Sequence, residues 1–264
     1  MTWGMRFAVL CAGLMMTAGA AWADHAAALS QVVDGYVRER DFSGVVRVTQ
    51  HGKAVFEKAY GKASLVYGVD NRPDTRFAIA SISKAFVATA VLQLADAKKL
   101  DLDAPIGKLL TGLPPELGAR TTRQLLDHTA GLVRESEFSP WETLTLDEHI
   151  ARIAKIAPGK PGTYNYSNSG YVLLARLVEA AGRQPYADYV ATHIVARAGL
   201  QDTGFIVGFA VIPNLATPYR IAPAGIESPW RARHLGVYPP VLAAWAPLLL
   251  FFLVGEAVLI TTEE

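Results

Sequence analysis

The residues best suited to chemistry are Ser81 and Lys84, the first and last residues of the tetrapeptide Ser-Ile-Ser-Lys. A serine hydroxyl is a weak nucleophile until a neighbouring base accepts its proton, and a desolvated lysine amine can act as that base. If Ser81 begins a helix, Lys84 lies almost one turn later on the same face, within reach of the hydroxyl. The N-terminal end of such a helix also favours a developing oxyanion. The pair predicts a serine nucleophile.

A second polar group follows at Tyr166-Ser167-Asn168. A phenol beside a lysine ammonium is shifted toward phenolate, so Tyr166 could act as general base for acylation and for the hydrolytic water. The amide of Asn168 offers a donor and an acceptor to a lysine or to a substrate carbonyl. Taken alone, each motif also has a structural explanation. Ser81 could be a helix N-cap, Lys84 a solvated charge, and the tyrosine segment a polar turn that caps the next helix.

Three blocks in this order resemble the serine β-lactamase and penicillin-binding-protein superfamily, in its class C β-lactamase-related branch. Residues 74–84 resemble the nucleophile region, and 125–132 resemble the segment L-L-x-H-T-S-G-L, with Ala130 where serine is usual. Residues 161–171 resemble the P-G-x-x-x-x-Y-S-N-x-G-Y block. Two further segments, 200–205 and 216–219, extend the resemblance to roughly residues 31–221.

This resemblance implies an α+β fold of the β-lactamase/transpeptidase type, an antiparallel sheet flanked by helices plus a mainly helical region. It implies that Ser81 is the acylated nucleophile, Lys84 its proton acceptor and Tyr166 the general base. Asn168 would belong to the substrate-binding wall, and His128 would be structural. The resemblance implies no cofactor, and the six histidines are scattered without metal-ligand spacing, so no metal site is predicted.

One element of the branch is missing from the sequence. Its members continue into three more strands, one of which carries K-T-G or H-x-G and completes the oxyanion hole. After Ile221 there is no K-T-G, and His234-Leu235-Gly236 lies too soon after 216–219 and opens an apolar tail. Losing an oxyanion donor would cost on the order of 100- to 1000-fold in rate. The sequence therefore predicts a domain truncated at its C-terminus and leaves a non-catalytic remnant open.

The order of predicted elements agrees with an α+β fold rather than a doubly wound one. A helix is predicted over 24–40, then a hairpin of strands 44–50 and 54–60 around His51-Gly52-Lys53. Helical patterns dominate from there: a long helix over 81–97, short helices within 101–118, and further helices over 121–126, 146–156, 167–181 and 185–198.

The two ends of the chain differ from this domain. Residues 1–23 carry one positive charge, an apolar run and the exit Ala21-Trp22-Ala23, which predicts a signal peptide and a periplasmic or secreted protein. The hydrolase domain is predicted over 24–225, followed by an apolar tail over 226–264. Within the tail, the 21 uncharged residues 235–255 are long enough to cross a membrane, and a buried core segment or a foreign tail fits them equally.

The charge balance of the chain limits the classes of molecule that it is expected to bind. The chain has 25 basic and 24 acidic residues, and removing residues 1–23 takes away Arg6, so 25 against 24 becomes 24 against 24. A neutral chain has no electrostatic footprint for nucleic acid or for an anionic membrane surface. Its only cysteine, Cys11, would leave with the signal peptide. We expect a small-molecule or peptide-like ester or amide substrate; carboxylesterase, D-amino-acid peptidase or carboxypeptidase, and β-lactamase activities all stay open.

Overall fold

A computed structural model of the 264-residue chain describes residues 26–39, 42–134, 144–206, 211–217, 220–222, 225–227 and 250–253. The predicted signal peptide, His234-Leu235-Gly236 and most of the tail lie outside these residues. Of the segment 235–255 the structure describes only Leu250–Leu253, which form a strand. Within the described ranges, no helix is both long enough and apolar enough to cross a membrane.

The chain divides into two compact units. The first contains the described residues of Met1–Phe77, Pro213–Ser228 and Leu253–Glu264, and the second contains those of Ala78–Ile212 and Pro229–Phe252. Both are built as the sequence predicts for an α+β chain, the first mainly from strands and the second mainly from helices.

In the first unit, strands β1 (Gly44–Gln50) and β2 (Lys53–Tyr60) form the predicted antiparallel hairpin as a two-stranded sheet. The turn residues His51 and Gly52 both have left-handed backbone angles, φ 49° and 74°. A two-residue turn of this kind matches the natural twist of a hairpin. Local sequence therefore determines this element.

Helix α1 (26–39) is tied to the hairpin by Asp34. Its carboxylate accepts hydrogen bonds from Lys58 Nζ and from the Tyr60 hydroxyl, both at 2.9 Å. These bonds and the Lys58 charge hold the pKa of Asp34 below its ordinary value. The contact places α1 against β2.

Short strands complete the first unit. Strands β3 (Lys62–Ser64) and β4 (Val69–Asp70) pair antiparallel, and β5 (Arg76–Ala78) leads into the second unit. The backbone N–H of Arg76 donates to the Asn214 carbonyl at 2.9 Å. Beyond it, β7 (Arg220–Ala222) and β8 (Gly225–Glu227) form another antiparallel hairpin.

In the second unit, helices α2 (Lys84–Asp96) and α6 (Asn168–Gly182) pack together at the centre of the core. The buried residues of α2 recur at helical spacing, as the sequence predicts: Phe86, Val87, Ala90, Val91 and Leu94. In α6, five apolar residues have no exposed surface: Leu173, Leu174, Ala175, Leu177 and Val178. Burial of these two faces holds both helices in fixed positions.

Smaller elements surround this pair. They are α3 (Pro115–Gly118), α4 (Thr122–Leu126), α5 (Leu146–Ile153) and α7 (Tyr186–Val190), which continues into one π-helical turn at Ala191–Val195. Strand β6 (Gly204–Phe205) pairs antiparallel with β9 (Leu250–Leu253). Thr121 and Thr145 begin α4 and α5 with complete capping boxes.

Three predicted helix boundaries are wrong. The helix predicted over 81–97 begins as an α-helix only at Lys84, because residues Ala80–Ser83 form a 3-10 turn. The helix predicted over 146–156 ends at Ile153. The helix predicted over 185–198 is α-helical only over Tyr186–Val190 before its π turn. In all three, the helical pattern of the sequence extends beyond the α-helical backbone by one to several residues.

Candidate functional site

Ser81 lies in the 3-10 turn that precedes α2. The preceding residue, Ala80, has a left-handed φ of 44°, a conformation that costs a non-glycine residue on the order of 1 kcal/mol or more. The hydroxyl of Ser83 donates to the Ala80 carbonyl at 2.6 Å and fixes this turn. Ser83 is buried, whereas Ser81 is exposed. Of the two serines in the tetrapeptide, Ser81 alone is therefore open to a substrate.

Lys84 is the first residue of α2, and its ammonium reaches across the site. Nζ donates a hydrogen bond to Ser81 Oγ at 3.2 Å and another to Asn168 Oδ1 at 2.7 Å. The Lys84 amine therefore joins Ser81, on the 3-10 turn, to Asn168, at the start of α6. Lys84 and Asn168 are 84 positions apart in the chain.

Tyr166 completes the group. Its hydroxyl oxygen lies 2.7 Å from Ser81 Oγ, and Lys84 Nζ lies 4.9 Å from the centre of its ring. Burial opposes ionisation of the phenol, but contacts with Lys84 and Ser81 and the charges of Lys84 and Arg134 outweigh it. The pKa of Tyr166 therefore lies below its ordinary value.

The four predicted site residues, Ser81, Lys84, Tyr166 and Asn168, are therefore brought together by hydrogen bonds. The hydrogen bond that Lys84 donates to Ser81 indicates the chemistry that this arrangement allows. Because Lys84 donates to Ser81 Oγ, the proton of Ser81 can be directed to the Tyr166 oxygen. This is the geometry of a serine activated by a general base.

Ser167 positions Tyr166 and Asn168 as the N-cap of α6. Its Oγ accepts a hydrogen bond from the Gly170 N–H at 3.1 Å and donates to the Val133 carbonyl at 2.7 Å. Its backbone N–H donates to His128 Nδ1 at 3.0 Å. The segment Tyr166-Ser167-Asn168 therefore both caps α6 and contributes side chains to the site.

His128 is a structural neighbour of the site, as the resemblance implies. Since Nδ1 accepts a hydrogen bond from Ser167, the imidazole is neutral there with its proton on Nε2. Its ring packs against the Tyr166 ring at 4.6 Å and the Tyr171 ring at 5.1 Å between centroids. Burial and the Lys84 charge lower the pKa of His128.

The chain after His128 is held against the segment that leads to Tyr166. Gly131 has φ 73°, and its carbonyl accepts from the Gly159 N–H at 2.8 Å. A Cβ at Gly131 would lie 2.3 Å from the Gly159 carbonyl oxygen, so glycine is required there. Ala130, where the resembling family usually has serine, is buried in the core.

Sequence reasoning missed Arg134. Its guanidinium carbon lies 5.3 Å from the centre of the Tyr166 ring, and its carbonyl accepts from the Asn168 N–H at 2.7 Å. The residue lies two positions beyond the block 125–132, and this position was the only signal in the sequence.

The described residues contain no candidate metal site, and their cavity lies away from the four predicted site residues. Among those residues no three His, Cys, Asp or Glu side chains are grouped as a metal ion would require. A cavity of about 560 Å³ lies elsewhere in the second unit, lined partly by Leu109, Leu113 and Ile150 and by the Arg176–Asp147 ion pair. None of the four predicted site residues lines it. Hydrogen bonding, not the size of this cavity, identifies the candidate site.

The chain is similar to known proteins in both sequence and structure. The family described as Beta-lactamase matches residues 29–262. The chain is 34% identical to Esterase EstB of Burkholderia gladioli, with 74% of this chain and 54% of that protein covered. It is 28% identical to the Teichoic acid D-alanine hydrolase of Staphylococcus aureus, with 66% and 43% covered.

Among solved structures, the D-amino acid amidase from Ochrobactrum anthropi SV3 complexed with D-phenylalanine is similar at a TM-score of 0.71 and 26% identity. The match covers 87% of this chain and 68% of the amidase. The chain spans about half the length of the curated relatives it matches. These matches confirm the predicted β-lactamase/transpeptidase-like fold.

Proposed function

The chain belongs to the β-lactamase family of serine hydrolases, and we propose that it hydrolyses an ester or amide through an acyl-enzyme formed on Ser81. One observation carries the proposal. The exposed Ser81 Oγ lies 2.7 Å from the Tyr166 hydroxyl and 3.2 Å from Lys84 Nζ. A hydroxyl held between a base of lowered pKa and an ammonium is an activated nucleophile.

In the proposed acylation, Ser81 Oγ attacks the substrate carbonyl carbon while its proton passes to the Tyr166 phenolate. The phenol then returns this proton to the leaving oxygen or nitrogen as the acyl bond breaks. In deacylation, Tyr166 takes a proton from water, the resulting hydroxide attacks the acyl carbon, and the phenol returns the proton to Ser81. In this scheme Lys84 is not the proton acceptor that the family resemblance implies: its ammonium donates to Ser81 Oγ and stabilises the negative charge that moves between the two oxygens.

The relatives guide the choice of substrate. Esterase EstB and the Teichoic acid D-alanine hydrolase are named for hydrolytic activities, and the structurally similar amidase is named for D-amino acid amides. We propose a small-molecule or peptide-like ester or amide, with carboxylesterase or D-amino-acid amide hydrolysis ahead of β-lactam hydrolysis. Simple chromogenic esters are the first substrates to assay.

Covalent labelling tests the nucleophile directly. The purified full chain is treated with a fluorophosphonate probe and, separately, with a fluorescent penicillin. We expect the fluorophosphonate to label the wild type and not Ser81→Ala. Thr89→Ala is the control, because Thr89 carries an exposed hydroxyl on α2 that donates to the Ala85 carbonyl and not to the turn of Ser81. It should retain labelling if the protein folds.

The competing function is a family member that no longer turns over, and the same experiment separates the two. Folded wild-type protein that takes up neither probe overturns the enzyme proposal. Labelling by the fluorophosphonate without any hydrolysis of esters, D-amino acid amides or penicillin supports a nucleophile that cannot complete the reaction.

We also propose export to the periplasm or the medium, from the signal-peptide pattern of residues 1–23. We further propose attachment to a membrane through 235–255 in a form of the protein in which Leu250–Leu253 do not pair with β6. N-terminal sequencing of the product should begin at Asp24. An intact N-terminus in the cytoplasmic fraction would contradict export. Release of the protein by alkaline carbonate would contradict a membrane-spanning tail.

A further inference from the structure

Arg134 is held beside the phenol of Tyr166 by its own backbone. Its carbonyl accepts from the Asn168 N–H at 2.7 Å. The two residues before it are fixed in the same way. The Val133 carbonyl accepts from Ser167 Oγ at 2.7 Å, and the Leu132 carbonyl accepts from Asn165 Nδ2 at 2.9 Å. The segment 132–134 and the turn that carries Tyr166 therefore form one hydrogen-bonded structure.

The arrangement surrounds one phenol with two cations. Lys84 Nζ lies 4.9 Å from the centre of the Tyr166 ring, and Arg134 Cζ lies 5.3 Å from it. A cation within about 6 Å of an aromatic ring is attracted to its face, and attraction increases when the ring carries the negative charge of a phenolate. Lys84 also donates hydrogen bonds to Ser81 and Asn168. Arg134 contributes charge from a different segment of the chain.

We propose that Arg134 is a positioning residue that stabilises the phenolate of Tyr166 through its guanidinium, so that Tyr166 is ready to accept the Ser81 proton. This inference rests on the proposed function of the site. According to this proposal, Arg134, which lies outside the recognised motifs, supplies part of the positive charge that stabilises the Tyr166 phenolate and thereby activates Ser81.

Among the residues that the structure describes, Lys84, His128 and Arg134 lie against the Tyr166 ring. The neighbouring titratable groups Asp127, Tyr164 and Tyr171 interact with one another or with His128. His128 uses Nδ1 as an acceptor and is neutral in that bond. Asp127 is an exposed carboxylate next to it and opposes the cations. Lys84 and Arg134 are consequently the two charges among these groups that favour a phenolate.

Two variants separate charge from shape. Arg134→Gln removes the positive charge, and Arg134→Lys restores it. Arg197→Gln removes an exposed arginine charge close to Tyr189 in the same unit and is the control. Each protein is compared with its own Tyr166→Phe derivative, so that the contribution of Tyr166 can be obtained by difference.

The first measurement needs no turnover. Tyrosinate absorbance is titrated with pH, and the difference between each protein and its Tyr166→Phe derivative reports ionisation of Tyr166. We expect Arg134→Gln to move this ionisation to higher pH, and Arg134→Lys and Arg197→Gln to leave it near that of the wild type. A midpoint unchanged in Arg134→Gln overturns the proposal, even if the chain proves to hydrolyse nothing.

The second measurement is the pH dependence of kcat/KM for a chromogenic ester. A phenolate base gives a rate that rises with pH, so we expect Arg134→Gln to shift the rising limb to higher pH. At neutral pH kcat/KM should fall roughly three- to tenfold, and the deficit should vanish on the plateau at high pH. An equal deficit at every pH would indicate a structural or substrate-binding role and overturn the proposal.

The two measurements fail in different ways. Absence of Ser81 labelling in the wild type defeats the proposed function, and the absorbance titration still decides the role of Arg134. Labelled, active protein with an unshifted titration in Arg134→Gln defeats the role of Arg134 alone.

Discussion

The hydroxyl oxygens of Ser81 and Tyr166 lie 2.7 Å apart, although 85 positions separate the two residues in the chain. Because Lys84 already donates to Ser81 Oγ, the serine hydrogen is available to the phenol oxygen. This contact puts a possible proton acceptor at hydrogen-bond distance from the serine hydroxyl, as serine activation requires.

Removing the phenol oxygen should impair the reaction while leaving the fold intact. We expect Tyr166→Phe to lower kcat/KM about 100- to 10,000-fold, because general base catalysis contributes on this scale. Steady-state and burst kinetics with a chromogenic ester measure the loss. Tyr164→Phe is the control, since the Tyr164 side chain is exposed and its ring meets His128 edge-on. Equal turnover in Tyr166→Phe and the wild type would remove Tyr166 from the mechanism.

Lys84 and Asn168 should act as a coupled pair. Their 2.7 Å hydrogen bond joins the start of α2 to the start of α6. We expect Lys84→Met and Asn168→Ala each to lower kcat/KM, and the double variant to lose less than the two losses combined. A coupling of about 0.5–3 kcal/mol is usual for residues in contact. The measurement is a double-mutant cycle on kcat/KM, and additive losses would show that the contact is unimportant for activity.

His128 should make the free energy of unfolding depend on pH. Its pKa is lowered from the ordinary value of 6.5 by burial and by Lys84. The unfolded chain therefore binds a proton at this histidine before the folded chain does, and stability falls as pH drops below about 6.5. Protonation of Nδ1 would also remove the acceptor for the Ser167 N–H.

This prediction is tested by urea unfolding of the wild type and of His128→Gln across pH 5 to 8. The wild type should have a higher free energy of unfolding than His128→Gln, and this difference should be greatest above pH 6.5 and should decrease as pH falls. Contributions from other titrating groups largely cancel in the difference. A difference that is constant with pH, or that grows in acid, would contradict the assignment.

Gly131 should tolerate no side chain. Gly131→Ala combines a left-handed φ of 73° with a Cβ 2.3 Å from the Gly159 carbonyl oxygen. Gly112→Ala has a similar φ of 84° but no atom within 4 Å of the new Cβ. The control should lose about 1–2 kcal/mol of unfolding free energy, and Gly131→Ala should lose distinctly more. Denaturation midpoints measure both, and similar losses would show that the Gly159 backbone can move aside.

Much of the local structure follows from short stretches of sequence. The hairpin turn at His51-Gly52, the apolar face of α2 and the start of α4 were predicted, because each depends on residues close in the chain. The wrong boundaries lie at helix ends. At the start of α2, the left-handed backbone of Ala80 and the 3-10 turn Ala80–Ser83 delay the α-helix to Lys84, which helical periodicity alone does not reveal.

The candidate site shows the same division. Ser81, Lys84, Tyr166 and Asn168 were predicted from their motifs, and the family of the chain followed from the order of those motifs. Arg134 was not predicted, because its position beside Tyr166 depends on the hydrogen bonds that hold 132–134 against the start of α6.

The sequence by itself therefore determined which chemical groups are present and which family they belong to. Spacing within a helix and chemical type are local properties that can be read directly from residues. Only the tertiary structure decided that Ser81 Oγ lies between Lys84 Nζ and the Tyr166 hydroxyl, and that a second cation lies near the phenol. Those distances arise because the buried faces of α2 and α6 pack together, and no local pattern encodes a contact made across that core.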